Sequence, residues 1–162
     1  LCNIRAMSAS APIDDLIGRI QLTASLFTKD VSAMSHENLS LQPGGKARSG
    51  YDLIFEVTRT NHLVKAAAQG EPISIPSRDG WLRAPDEAKN KEAALSAFQQ
   101  SVDGACAALT QVSPERFGET VQSPMGPMPL LRFAGIIPFH HMYHSGQLNY
   151  IQTLTGDDEF HW

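Results

Sequence analysis

Two histidines, His140 and His144, stand four residues apart in the run Phe139-His140-His141-Met142-Tyr143-His144-Ser145-Gly146-Gln147. On a helix this spacing puts both imidazoles on one face, with Cβ atoms about 5–6 Å apart, within reach of one cation. Spacing alone is equally compatible with surface or hydrogen-bonded core histidines, so the surrounding pattern decides. Leu130, Phe133, Ile137, His140, His144, Gln147, Ile151 and Leu154 form a three-and-four stripe, the buried face expected of a bundle helix. A second stripe, Leu53, Glu56, Thr60, Leu63 and Ala67, flanked by Val57 and Val64, also turns polar in its middle. A carboxylate on a buried face needs a partner, because desolvating it is costly, and no Lys or Arg occupies a stripe position. A divalent metal shared by Glu56, His140 and His144 satisfies all three. Two histidines and a carboxylate with open positions are used by zinc hydrolases and by non-haem iron sites. The competing arrangement is a buried ion pair between Glu56 and one imidazole, which requires nothing outside the chain.

The remaining polar residues are ranked by where they sit relative to these three. His141 projects about 100° away from His140; with Tyr143 it is the nearest candidate for acid–base work. His62 is the alternative third ligand, although Arg59 and Lys65 on its own face mark that face as solvated. Gln147, one turn past His144, is placed to orient an imidazole or to bond a ligand's water. Thr60, Asn61 and Trp81 are the other pocket candidates.

Four amphipathic segments must position these groups. Ser10 is a candidate N-cap for a first helix with Pro12 in its opening turn, carrying Ile13, Ile17, Ile20, Ala24, Phe27, Val31 and Met34 to about Ser35. Ser49 caps a second helix that stops at Gly70. A third, from Pro85-Asp86 to Ser113-Pro114, has the stripe Leu95, Phe98, Val102, Ala105, Leu109 and Val112. The fourth holds the histidines, and Pro138 within it predicts a kink, or a helix start, one turn before His140. Residues 70–85 form a long connection containing Pro72, Pro76, Gly80 and Trp81, and residues 114–129 form another, in which 119–122 can run extended. Loops of this length usually cover or line something. The pattern is an all-α four-helix bundle with long connections between helices 2 and 3 and between helices 3 and 4. Residues 10–162 form the single domain, with residues 1–9 as a disordered or extension segment.

Composition narrows the function. The 162 residues are 42% hydrophobic, with 13 Lys and Arg against 17 Asp and Glu for a net charge of −4. No basic block advertises a nucleic-acid surface and no apolar run has the length of a membrane span. Cys106 lies in an apolar helical stripe, and with Cys2 as its only companion the default is a reducing cytoplasm.

The run from His140 to Leu148, with its paired histidines and Gly146-Gln147, resembles the signature of the DinB-like (damage-inducible) four-helix-bundle family. The likeness extends from Ile13 to Gly156, including the helix ending at Gly70, with Asn61 five residues past Glu56. The resemblance implies a metal-dependent bundle, often a homodimer, whose members include transferases that use a low-molecular-weight thiol. The family usually places a third histidine on the second helix, and Glu56 takes that position here. The expected function is therefore a divalent-metal-binding protein (zinc, nickel or iron), a metal-dependent transferase or hydrolase acting on a small molecule, with a thiol-dependent reaction as one form of it. The alternative is a non-catalytic metal-binding or stress-response bundle.

Overall fold

The structure is a computed structural model that describes residues 11–75 and 80–162. Ser10, Cys2, Pro76 and the expected extension segment 1–9 lie outside these residues. Helix α1 spans Ala11–Ala33, short α2 His36–Ser40, α3 Gly50–Gln69, α4 Lys91–Thr110, short α5 Leu130–Ala134 and α6 Ile136–Leu154. The long helices close a ring in which α1 packs on α4, α4 on α3, α3 on α6 and α6 on α1. This is an all-α four-helix bundle. No helix among the described residues is long and apolar enough to cross a membrane.

Local chemistry sets the boundaries. The Ser35 hydroxyl accepts a hydrogen bond from the Asn38 amide at 3.1 Å and starts α2, so α1 ends two residues earlier than its stripe predicts. Lys91 Nζ donates to the carbonyls of Ser32 (2.6 Å) and Met34 (2.7 Å), tying the start of α4 to the C-terminal end of α1. Ser49 and Asp52 form a reciprocal capping box at the start of α3, which satisfies two otherwise orphaned amides. Gly70 ends α3 in the left-handed conformation, φ 76°, which a glycine adopts without strain.

Helix α4 is shorter at both ends than its sequence pattern suggests. Asp86–Ala88 makes one 3₁₀ turn, and the true cap is Asn90, whose side chain accepts from the Ala93 amide at 2.9 Å. The long connection after α4 contains a second 3₁₀ turn, Pro114–Gly118. It also holds one short antiparallel strand pair, Thr120 opposite Pro129 and Val121 opposite Met128. Pro138 is the third residue of α6, where a backbone N–H has no intrahelical acceptor to lose. The chain therefore starts a helix there instead of kinking one.

The expected stripes of α3 and α6 are rotated in the structure. On α6 the inward face is Ile137, His141, Ser145, Leu148 and Gln152, together with His144 and Ile151. His140 and Gln147 lie half-buried on the flank, and Leu154 is exposed. On α3, Leu53, Ile54, Val57, Asn61 and Val64 point inward, while Glu56, Thr60 and Leu63 sit on the flank. Turning both helices this way fills most of the centre with apolar side chains and leaves Glu56, His140 and His144 along the α3–α6 seam. The core proper is built on Phe27, Phe98, Phe133, Ile20, Leu109 and Ile137. Cys106 is buried in it, and burial pushes its thiol up to about 11, so it acts as a small apolar group.

The C-terminal segment packs back on the bundle. Trp162 Nε1 donates to Asp30 Oδ1 at 2.8 Å, and Ser145 donates to the other oxygen of that fully buried carboxylate. Sequence reasoning did not single out Asp30.

Candidate metal centre

The α3–α6 seam brings Glu56, His140 and His144 together. One ligand atom from each lies within 4.8 Å of the others. His140 Nε2 and His144 Nε2 are 2.9 Å apart, Glu56 Oε2 is 3.4 Å from His144 Nε2, and Glu56 Oε1 is 3.9 Å from His140 Nε2. Tetrahedral ligands bound at about 2.1 Å stand roughly 3.4 Å from one another. The observed separations bracket that value.

The protonation of the two rings suits a cation. Burial, reinforced by the nearby charge of Arg48, lowers His140 to about 4. Burial and then His140 lower His144 to about 3. Both rings are neutral at physiological pH, the form that ligates metals. Gln147 Oε1 accepts from His144 Nδ1 at 2.7 Å, so the proton sits on Nδ1 and the Nε2 lone pair faces the centre. An amide oxygen behind a ligating imidazole fixes its tautomer and orientation. His140 Nδ1 is buried with no hydrogen-bond partner. In the absence of a cation the two Nε2 atoms must share one proton between them. These donors fit a divalent metal.

Arg48 completes the arrangement and is the functional residue the sequence reading missed. Its buried guanidinium pairs with Glu56 Oε2 and stacks under Trp81, 4.6 Å from the ring centroid. It stands outside the helical stripe, one residue before the α3 cap. No helical periodicity reaches that position, so the stripes carry no signal for it. Asp52 anchors Trp81's loop. Burial opposes charge on this carboxylate, but hydrogen bonds from the Ala84 and Ser49 amides and from Arg83 outweigh it and hold Asp52 below the usual range.

Other sequence candidates lie elsewhere. His141 is not an acid–base group at the seam. It is fully buried between Phe27 and Phe98, with Thr23 Oγ1 3.2 Å from Nδ1 and Asn61 Oδ1 3.2 Å from Nε2. Asn61 belongs to the same core network and donates to Ser101 at 3.0 Å. The two hold α1, α3, α4 and α6 in register across the bundle centre. His62 is exposed and outside the trio. Thr60 donates to the Glu56 carbonyl at 3.0 Å and serves its own helix. Tyr143 remains near the trio, its ring edge-on to His144 at 4.9 Å and its hydroxyl 3.4 Å from Gln147 Nε2.

Beside the trio opens a cleft of about 340 Å³, lined by Lys46, Arg48, Trp81, Tyr143, Gly146 and Tyr150 among others. Gln147 also lines it, so three residues that touch the trio, Arg48, Tyr143 and Gln147, face the cleft.

No protein of curated function matches the chain. A conserved protein of Enterococcus faecalis, known from a crystal structure, is similar to it at 16% identity and TM-score 0.70. That alignment covers 92% of this chain and 98% of the other, and at such identity it shows the shared fold alone. A family model of the DinB superfamily matches residues 15–148, a span containing Glu56, both paired histidines and Gln147, and the chain belongs to that superfamily.

Proposed function

We propose that this protein binds one divalent metal at Glu56, His140 and His144 and uses it as a transferase or hydrolase acting on a small molecule, with a low-molecular-weight thiol as the candidate co-substrate. The observation that carries the reading is the convergence of three neutral or anionic donors beside an open cleft. When bound, the metal supplies Lewis acidity and lowers the pKa of a coordinated water or thiol. The chain's own residues prepare for it. Gln147 holds His144 in the tautomer with its lone pair inward. Arg48 neutralises one oxygen of Glu56 and leaves the other toward His140. Tyr143, with its hydroxyl near Gln147 at the cleft, is the candidate proton donor.

The metal-free reading has its own support, since Arg48 already gives Glu56 a partner. Metal content separates these two, and turnover separates an enzyme from a non-catalytic metal binder. The metal-loaded protein, incubated with common low-molecular-weight thiols and a model electrophile, should consume thiol, and the His144→Ala variant should not. Equal background rates for both across the panel would favour a binding protein without turnover.

A further inference from the structure

Gly146 sits in the interior of α6, where a glycine costs about 1 kcal/mol relative to alanine. Its φ is not positive, and a Cβ added there would meet nothing within 4 Å. Neither backbone conformation nor close packing requires a glycine. What the missing side chain leaves is open volume in the cleft.

The walls of that volume are specific in character. Trp81, Tyr143 and Tyr150 line it and are 60%, 59% and 64% exposed. Aromatic side chains grouped around a concavity and left this open mark a binding surface more than a packing one. Among the described residues no carboxylate lines the cleft. The cations there are Arg48, offset by Glu56, and Lys46, which has no carboxylate at ion-pair distance among the described residues. Arg83 nearby is balanced by Asp52. Among the described residues the one uncompensated charge at the cleft is therefore positive.

We propose that the cleft binds a small organic anion with a flat apolar body, lying over Gly146 between Trp81 and the two tyrosines, with its anionic group toward Lys46. This names a ligand class for the cleft and rests on reading the cleft as the approach to the metal centre. Its binding elements are nonetheless the chain's own and need no metal.

The test is a titration of metal-free protein, followed through the indole N–H signal of Trp81 in NMR spectra and assigned with Trp81→Phe. The probes are phenylacetate, its neutral isostere phenylacetamide, and the cation phenethylamine. Phenylacetate should shift the Trp81 signal saturably, and the other two should bind more weakly, the neutral amide by roughly two- to fivefold, the scale of one exposed ion pair. Lys46→Glu should weaken phenylacetate by a similar factor. Gly146→Leu places a side chain in the cleft and suits a helix better than glycine, so it should fold as well as the parent and bind at least roughly tenfold more weakly. The proposal is overturned if phenylacetamide binds as tightly as phenylacetate, if Lys46→Glu binds unchanged, or if well-folded Gly146→Leu binds like the parent. Because the titration contains no metal, a negative result leaves the metal content, measured separately, untouched.

Discussion

Arg48 pairs with Glu56 from just outside the helix that carries the carboxylate, so that one oxygen is neutralised while the other faces His140. A lone carboxylate beside two neutral imidazoles would be poorly compensated when the site is empty. With Arg48 in place, Glu56 tolerates the empty state and keeps a free oxygen for a cation. Arg48→Met should therefore destabilise the metal-free protein. Glu56 retains some solvent contact, so the loss should be about 1–3 kcal/mol, below that for a fully buried pair. Saturating metal should recover part of it, because the cation supplies the missing countercharge. Chemical denaturation with and without metal measures both.

Gln147→Leu removes the acceptor behind His144 Nδ1 and frees the ring to adopt the other tautomer. Loss of such a partner typically weakens a metal site about 10–100-fold. Competition against a chromophoric chelator should show that drop, with the melting temperature of the metal-free protein nearly unchanged.

His141 should behave in the opposite way. His141→Leu leaves the buried Asn61 Oδ1 without its partner, costing about 1–3 kcal/mol by an unsatisfied hydrogen bond. It should leave the metal stoichiometry as in the parent. A His141 variant that unfolds no more easily but loses metal would show that the ring serves the centre after all.

Acid should destabilise the metal-free bundle through its buried rings. Burial lowers His140 to about 4 and His141 and His144 to about 3, against an unfolded value of about 6.5. Between those limits the unfolded chain binds more protons, so stability rises with pH. The contribution is fully present above about pH 6.5 and is lost as pH falls toward the folded values, at up to about 1.4 kcal/mol per unit for each ring. Urea midpoints measured from pH 7.5 to 4.5 should fall steeply below pH 6.5, and less steeply in His141→Leu.

The bundle was legible because its periodicity is strong. Ile20, Phe27, Phe98 and Leu109 are buried where their stripes placed them, and Ser49 and Gly70 bound α3 as their chemistry predicts. The trio was legible because an i, i+4 histidine pair and an interrupted stripe are local signals. Rotation was not. A three-and-four stripe defines a helical face only to within one residue, and that residue separates His140 on the flank from His141 in the core. Arg48 escaped notice because it belongs to no helix, and Asp30 because its partners, Ser145 and Trp162, are more than a hundred residues away.

The central claim is that Glu56, His140 and His144 hold one metal ion. Elemental analysis of protein purified without a nickel column, alongside Glu56→Ala and His144→Ala, tests it most directly. The account predicts about one equivalent of a divalent metal in the parent, and loss of that metal in both folded variants. Equal trace metal in all three proteins would contradict it.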